Sequence, residues 1–488
     1  MALVGDRLSR PRFLRWLGFL GSVCCAADGF LFGAATYIRS NVSVVTILRG
    51  PHGILILLLW ALGLAALCTA WWSGRRLAET ADLGIRWIVV TAALWIVPML
   101  VIPPLGSRDM YAYACQGALF NAGLNPYAVG VSAQPCPWLD SVSVVWRDTP
   151  TPYGPLFIML AGAAAMFGSQ LAAIVVFRLV AVLGIVGIAA GLPVLARRVG
   201  VPEQRALWLV LCCPLVSLHL IGGGHNDALT VAFLIAGLAV LAARPRRLGL
   251  LILAGVLLGL SIAVKITLGV VLPFAALLAV GGLQPGGWPQ LVRRGGTVLF
   301  AALGTLVALS FLSGLGLGWA TALSGAGESV YWTSPPTAIG IAVDAVERGL
   351  GADLDVVPAV RAVALVLLPV VLLVIWWRSR RRDPLIGAGL ALLALIFLAP
   401  ITQPWYLMWP LAMLAVTPAR VRWLAVTIVL WVATILPDGS SALRPLKGPM
   451  AFAMVVLVGW VAVRSVRWLR GDEVATYSEP PRQLAEVR

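Results

Sequence analysis

The sequence predicts an all-α bundle of membrane-spanning helices, about 14 of them (13–14), and three observations carry that prediction. Of 488 residues, 60% are hydrophobic and only 11% are charged, against roughly 25% charged in soluble domains. The deficit recurs along the whole chain, with a mean hydropathy of +0.94, so no soluble domain of ordinary size can be cut out. Uncharged apolar runs, of the ~17–25 residues that cross a bilayer as a helix, follow one another from end to end. A net charge of +16 would point to nucleic acid in a soluble protein. Here arginines in cytoplasmic loops account for it, and no nucleic-acid partner is expected.

The elements follow in order. A basic N-terminus leads into Leu14–Thr36, too long for a signal-peptide core of ~7–15 residues and read as the first span. Polar or Pro/Gly-rich breaks then bound Gly53–Trp72, Gly84–Pro103, Leu171–Leu195, Ala206–Ile221, Asp227–Ala243, Leu248–Val264 and Ile266–Gly282. Gly296–Leu315, Val356–Trp377, Leu385–Pro400, Trp405–Ala419, Leu424–Pro437 and Pro449–Val463 complete the series. The shorter runs suit a thinned bilayer or the bundle interior. Gly154–Phe167 is apolar but short, nearer a re-entrant or interfacial piece than a span.

Charge decides that case. If Gly154–Phe167 does not cross and the N-terminus is cytoplasmic, about 26 of the 36 basic residues fall inside, about 9 outside, and Arg178 lies within a span, as the positive-inside rule requires. Were it to cross, every later basic loop would face the wrong way. Both termini are therefore expected inside. The bundle would occupy residues 1–470, followed by a disordered cytoplasmic tail, 471–488.

This threading places Asp109, His225, Asp227, Lys265, Glu328 and Gln403 at the outer surface. Charges facing hydrocarbon are costly, and these gather on one side, on five loops. Each alone reads as a solvated loop residue; together they suggest a shared site. Two large outer loops run over 104–153 and 316–355, the first with a short helix expected at Asp109–Asn121. Their aromatic residues (Tyr111, Tyr113, Tyr127, Trp138, Trp146, Tyr153, Trp319, Tyr331, Trp332) are either interface anchors or a sugar platform. Cys115 and Cys136 share the first loop, which admits a disulfide if that loop is extracytoplasmic. The other five cysteines lie in apolar runs, and no spacing suits zinc.

A lone carboxylate among lipid-soluble residues fits one chemistry well: glycosyl transfer from a lipid-phosphate sugar. Phosphate leaves without a protonating acid, whereas the acceptor hydroxyl needs a base. A single in-line displacement with inversion then needs one carboxylate, Asp109, not the pair of a hydrolase. Charge growing on phosphate needs a cation. Lys265, one of two lysines, is the first candidate, and its alternative is a helix-junction lysine. In Gly222-Gly223-Gly224-His225-Asn226-Asp227, glycines allow close backbone approach, His225 could donate to phosphate, and Asp227 could cap the next helix; a plain turn is the other reading. Gln403-Pro404-Trp405-Tyr406 offers stacking and hydrogen bonding to a sugar, or simply a Pro-started helix. Arg108 could orient Asp109 or touch phosphate. Asp140, Arg147 and Asp148 could shape the acceptor path.

The segment Ser107-Arg108-Asp109-Met110-Tyr111-Ala112-Tyr113, then Gln116-Gly117 and Gly123-Leu124-Asn125-Pro126-Tyr127, closely resembles the first outer loop of actinobacterial polyprenol-phosphomannose-dependent α-1,6-mannosyltransferases. Trp146–Pro150, Pro152–Pro155, Gly222–Asp227, Lys265 and Gln403–Tyr406 are similar to that family too, in the same order, over about Asp109 to Pro410. The resemblance implies a GT-C transmembrane fold with helical outer loops. It implies transfer of mannose from polyprenyl-phosphate-mannose, on the periplasmic face of the plasma membrane, to a lipid-anchored α-1,6-mannan acceptor such as lipomannan or lipoarabinomannan. It makes Asp109 the catalytic base. Lys265, His225 and Arg108 would hold donor phosphate. Tyr111, Tyr113, Asn125, Tyr153, Asp227, Gln403, Trp405 and Tyr406 would bind sugar or acceptor. Many GT-C enzymes carry a second acid beside the first; Met110 and Tyr111 stand there instead, so metal-independent transfer is expected, with no cofactor. Transfer of another lipid-linked sugar, a lipid-linked sugar flippase and a non-catalytic scaffold are the competing readings. The lack of repeated halves or mid-membrane charges disfavours transport.

Overall fold

The structure, a computed structural model, describes residues 10–34, 42–80, 83–243, 247–326, 333–443 and 446–470. The expected tail and Glu328, Tyr331 and Trp332 lie outside them. In chain order the principal helices are α1 Pro11–Phe32, α2 Gly53–Glu79, α3 Ile85–Ile96, α4 Asp109–Asn121, α5 Pro155–Ala165, α6 Gln170–Val199, α7 Glu203–Leu211, α8 Asp227–Ala242, α9 Leu248–Val264 and α10 Leu272–Val280. They continue with α11 Gly296–Leu312, α12 Pro335–Gly349, α13 Val357–Ser379, α14 Pro384–Leu398, α15 Met408–Ala415, α16 Arg422–Val432 and α17 Lys447–Arg470. Among the described residues there is no β-strand, only an isolated bridge between Ile435 and Ser441.

This is a helical membrane bundle, but its helices are not fourteen full-length spans. Six are long and apolar enough to cross a bilayer, or seven if the pair Glu203–Leu211 and Val216–Gly222, bent by 60°, is one span. The other apolar helices run 10–17 residues, short of the ~20 that a crossing takes. The reason is local. Gly-rich and proline-containing breaks divide what hydropathy reads as continuous runs, as at Cys212–Leu215 between α7 and the π-helical turn Val216–Gly222. Helix α5 spans 11 residues, about 16 Å at 1.5 Å per residue and roughly half the ~30 Å hydrocarbon core.

Helices pack in close pairs, α1 on α2, α6 on α8, α8 on α9 and α9 on α11, with α6 and α8 running parallel, Gly184 against Ala228 and Gly191 against Ile235. Small residues permit close approach, since apolar lipid gives helices little reason to associate except tight packing and internal hydrogen bonds. The expected helix Asp109–Asn121 is present with those bounds. It lies against α5 so closely that a Cβ on Gly117 would run into the Ala161 carbonyl. A disulfide between Cys115 and Cys136 ties the same helix to the rest of the 104–153 loop.

One buried charge braces the end of the bundle that carries the Gly-rich turn. Arg178 of α6 donates from Nη1 to the Leu100 carbonyl at 3.0 Å, and from Nη2 to Pro103 and Gly222 at 3.2 and 3.3 Å. Its guanidinium fork thus joins the entry of the 104–153 loop to the Gly-rich turn. The in-span arginine of the charge count is a structural brace, satisfied by carbonyls that broken helices leave unpaired.

Candidate active site

Asp109 opens α4, where the amide dipoles favour an acid, and Ser107 holds the turn before it by accepting from the Asp109 N–H at 3.1 Å. The Gly-rich turn is pressed onto the same helix. Gly224 adopts φ +61°, and a Cβ there would strike the Met110 thioether, so only glycine lets the turn come this close. That approach brings His225 Nδ1 to 3.5 Å from Asp109 Oδ2 and to 3.5 Å from the Tyr113 hydroxyl. His225 is fully buried. Burial, with His219 and Lys265 nearby, drives its pKa well below the ordinary value, so the contact with Asp109 joins a neutral imidazole to a carboxylate. It is not an ion pair. Trp405 stacks on the imidazole with ring centroids 3.7 Å apart.

The Asp109 side chain keeps 14% of its surface exposed, toward a cavity of about 140 Å³. A single water needs only ~10–15 Å³, so this space is of ligand scale. Asp109, Tyr153, Lys265, Thr267, Gln403, Trp405 and Tyr406 form its polar and aromatic side; Leu323, Leu395, Ile396, Ala399, Pro400 and Ile401 form an apolar side. Removal from water raises the Asp109 carboxyl to about 6, opposed by Lys265 and by hydrogen bonds from Ser107 and Tyr113. Such a group is ionised at neutral pH and is a stronger base than an ordinary aspartate.

Behind the cavity residues Lys265 and Trp409 stands a second carboxylate in a different state. Asp227 is fully buried. It accepts from Lys265 Nζ at 2.9 Å on both oxygens and from the Trp409 indole at 2.7 Å. Lys265 sits where α9 ends and the chain turns into the short 3-10 helix Ile266–Val271. The rings of Tyr406, Trp409 and Tyr153 face its ammonium at 4.5, 5.1 and 5.8 Å, a cation–π enclosure. Two of the three ammonium protons go to Asp227.

Of the residues gathered by the charge argument, Asp109, Lys265 and Gln403 line one cavity, His225 and Asp227 lie buried behind Asp109 and Lys265, and Glu328 lies outside the described residues. Several individual expectations need correction. Tyr111 points away from the cavity and donates to the Ala34 carbonyl at 2.6 Å. Asn125 accepts from the Tyr127 N–H at 2.9 Å, closing a turn in the loop. Arg108 donates to the Ser141 carbonyl at 3.4 Å and shares its field with Asp438, so it does not steer Asp109. Asp227 is sealed by Lys265 and Trp409 and neither caps α8, whose N-cap is Asn226 with no side-chain bond, nor faces a sugar. His225 turns Nδ1 to Asp109 and Tyr113 and is buried behind the cavity rather than lining it. Tyr113 is buried and takes a hydrogen bond from Tyr153 at 3.4 Å, so it supports Asp109 from behind. Asp140 meets Arg147 at 4.0 Å on the surface, and Asp148 accepts from Ser132 at 2.5 Å; neither lines the cavity.

Several lining residues escaped the sequence reading. Trp409 and the apolar residues of α14 carry no signal beyond that of a buried helix. Thr267 lies in a run of six apolar-looking positions, and only its distance of two residues from Lys265 would have singled it out.

The family described as "Alpha-(1->6)-mannopyranosyltransferase, N-terminal domain" matches residues 15–281, and "MptB C-terminal domain" matches 336–464. Among curated proteins, α-(1→6)-mannopyranosyltransferase A of Mycobacterium tuberculosis is 33% identical over 94% of this chain and 91% of its own. A probable α-(1→6)-mannopyranosyltransferase of Mycolicibacterium smegmatis is 31% identical, covering 97% and 92%. Corynebacterium glutamicum α-(1→6)-mannopyranosyltransferase B is 29% identical, covering 80% and 70%. No solved structure matches significantly. With more than half of the chain inside the first family match and a relative aligned almost end to end, the chain belongs to the α-(1→6)-mannopyranosyltransferase family.

Proposed function

We propose that this membrane protein transfers mannose from polyprenyl-phosphate-mannose to the 6-hydroxyl of a lipid-anchored α-1,6-mannan, with inversion and with Asp109 as general base. The reading rests above all on one observation: a carboxylate raised to about 6 opens onto a cavity that is polar and aromatic on one side and apolar on the other. The apolar side suits an isoprenoid and the aromatic side a sugar ring. In the step, an acceptor oxygen lone pair forms the new bond to the anomeric carbon as the bond from that carbon to the phosphate oxygen breaks. The acceptor proton passes to Asp109, and polyprenyl phosphate departs with the bonding electrons. Tyr153 and Tyr113 hold Asp109 in place by successive hydroxyls, and His225 backs it from the Gly-rich turn.

Lys265, already half-neutralised by Asp227, keeps one proton for phosphate. Gln403, Trp405, Tyr406 and Tyr153 border the sugar. The short apolar helices join the long ones in about 14 crossings, with both termini cytoplasmic and the cavity on the outer face. The disulfide in the first outer loop is consistent with an oxidising side. Transfer proceeds without metal, because Met110 and Tyr111 stand where a second loop acid would help bind one.

The test is transfer of labelled mannose from polyprenyl-phosphate-mannose to short α-1,6-mannosides by the purified full chain, with arabinose- and glucose-charged carriers in parallel. Transfer of another sugar in preference to mannose would overturn the donor assignment. Cysteine labelling at Val129 tests sidedness: reaction from the cytoplasmic side alone would invert the topology.

A further inference from the structure

Thr267 Oγ1 is the unexplained polar atom of the cavity wall. It is buried and has no hydrogen-bond partner, although a threonine near a helical turn commonly bonds a carbonyl one turn back. An unsatisfied buried hydroxyl costs about 1–3 kcal/mol, a cost that an acceptor bound in the cavity Thr267 lines would relieve. Three features of its surroundings narrow what that occupant is. Lys265, two residues earlier, lines the same cavity and has one ammonium proton left after Asp227 takes two. The nearby wall of Leu395, Ile396 and Ala399 is apolar, so the occupant carries a hydrocarbon portion. A hydroxyl donor beside a lysine suits an oxyanion better than a neutral sugar hydroxyl, because hydrogen bonds to charged acceptors are the stronger ones.

We propose that Thr267 and Lys265 together receive the phosphate of a polyprenyl phosphate, with Thr267 donating its hydroxyl proton to a non-bridging phosphate oxygen. This deepens the proposed function and rests on it for the identity of the lipid. It also resolves the weakness of Lys265 as a sole phosphate ligand, since a lysine already paired with a buried carboxylate offers little net charge. Thr267 supplies a second donor without adding charge to a buried site.

The experiment measures binding of polyprenyl phosphate to the purified full chain, with no acceptor present, for wild type, Thr267→Val and Thr267→Ser. Valine keeps the shape and removes the hydroxyl. The dissociation constant is expected to rise about tenfold in T267V, the scale of one hydrogen bond to a charged group, and to return to within about twofold of wild type in T267S. Unchanged affinity in T267V, at an unchanged melting temperature, would overturn the proposal, as would equal loss in T267S. Transfer assays on the same samples keep the two readings apart. A rise in donor KM with acceptor KM unmoved is expected. A wild type that binds polyprenyl phosphate through Thr267 but transfers no mannose would sink the proposed function and leave the phosphate site standing. A T267V variant that loses affinity for acceptor mannoside instead would move Thr267 to the acceptor and sink the phosphate assignment.

Discussion

Asp109 lines the cavity and Asp227 lies buried behind its wall, and the two are built to opposite ends. Asp227 is sealed, with both oxygens held by Lys265 and a third bond from Trp409. Asp109 has no cation at hydrogen-bonding distance among the described residues; it is backed by a neutral histidine and a tyrosine, and opens to the cavity. A carboxylate with a full set of charged and polar partners is a poor proton acceptor. One held short of partners in a desolvated site is a good one. The contrast teaches that the division of labour between two acids comes from their neighbours, a rule general to sites that need one working carboxylate and one structural one.

The sharpest way to break the comparison is to exchange each acid for its amide. Asp109→Asn removes the proton acceptor while keeping the shape, and should lower mannose transfer about 100- to 10,000-fold, the range for general-base catalysis, with polyprenyl phosphate binding unchanged. Near-normal turnover would remove Asp109 from the chemistry. Asp227→Asn strips the buried partner from Lys265 and should destabilise the chain by about 3–5 kcal/mol, the cost of breaking a buried pair, seen as a lower thermal inactivation temperature. If D227N melts like wild type and loses only turnover, Asp227 acts in the reaction and the two acids are alike after all.

The pH dependence comes next in size. Transfer needs Asp109 ionised, so activity falls as pH drops through its pKa, and desolvation has moved that pKa from the ordinary carboxylate value up to about 6. The acid limb of kcat/KM should therefore lie near pH 6. His225 adds no limb there, because burial holds it neutral well below its usual range. A limb near pH 4 would mean that Asp109 is better solvated in the working enzyme than the cavity geometry implies.

How much of this was legible in the sequence differs between fold and site. The helix Asp109–Asn121 could be read because Pro103-Pro104 and Gly106 precede it and Gly123 follows it. The gathering of Asp109, His225, Asp227, Lys265 and Gln403 followed from charge counting alone, since few polar residues exist to be placed. Their partners could not be read. Nothing local in the sequence joins Asp227 to Lys265, 38 residues away, or to Trp409 on a later helix, because such pairing is decided by tertiary packing. The lengths of the individual helices could not be read for a related reason. Hydropathy sums a broken helix such as Glu203–Gly222 as one apolar run and is blind to the bend that delivers the Gly-rich turn to the site.

Tyr111 gives the smallest expected effect and tests the border of the site. By sequence position it belongs beside Asp109, yet in α4 a separation of two residues points side chains to different faces. Its hydroxyl is spent on the Ala34 carbonyl at 2.6 Å, linking the catalytic helix to the end of α1. Tyr111→Phe should cost about 1 kcal/mol of stability, the net worth of one hydrogen bond, and leave donor and acceptor KM within twofold. Tyr153 is 42 positions further along the chain but lines the cavity, and its hydroxyl reaches Asp109 through Tyr113. Tyr153→Phe should therefore lower turnover more than Tyr111→Phe does, although Tyr111 is far nearer Asp109 in sequence. If the order were reversed, proximity along the chain would outrank the hydrogen-bond network, and the cavity-facing surface of Asp109 would have to be redrawn to include Tyr111.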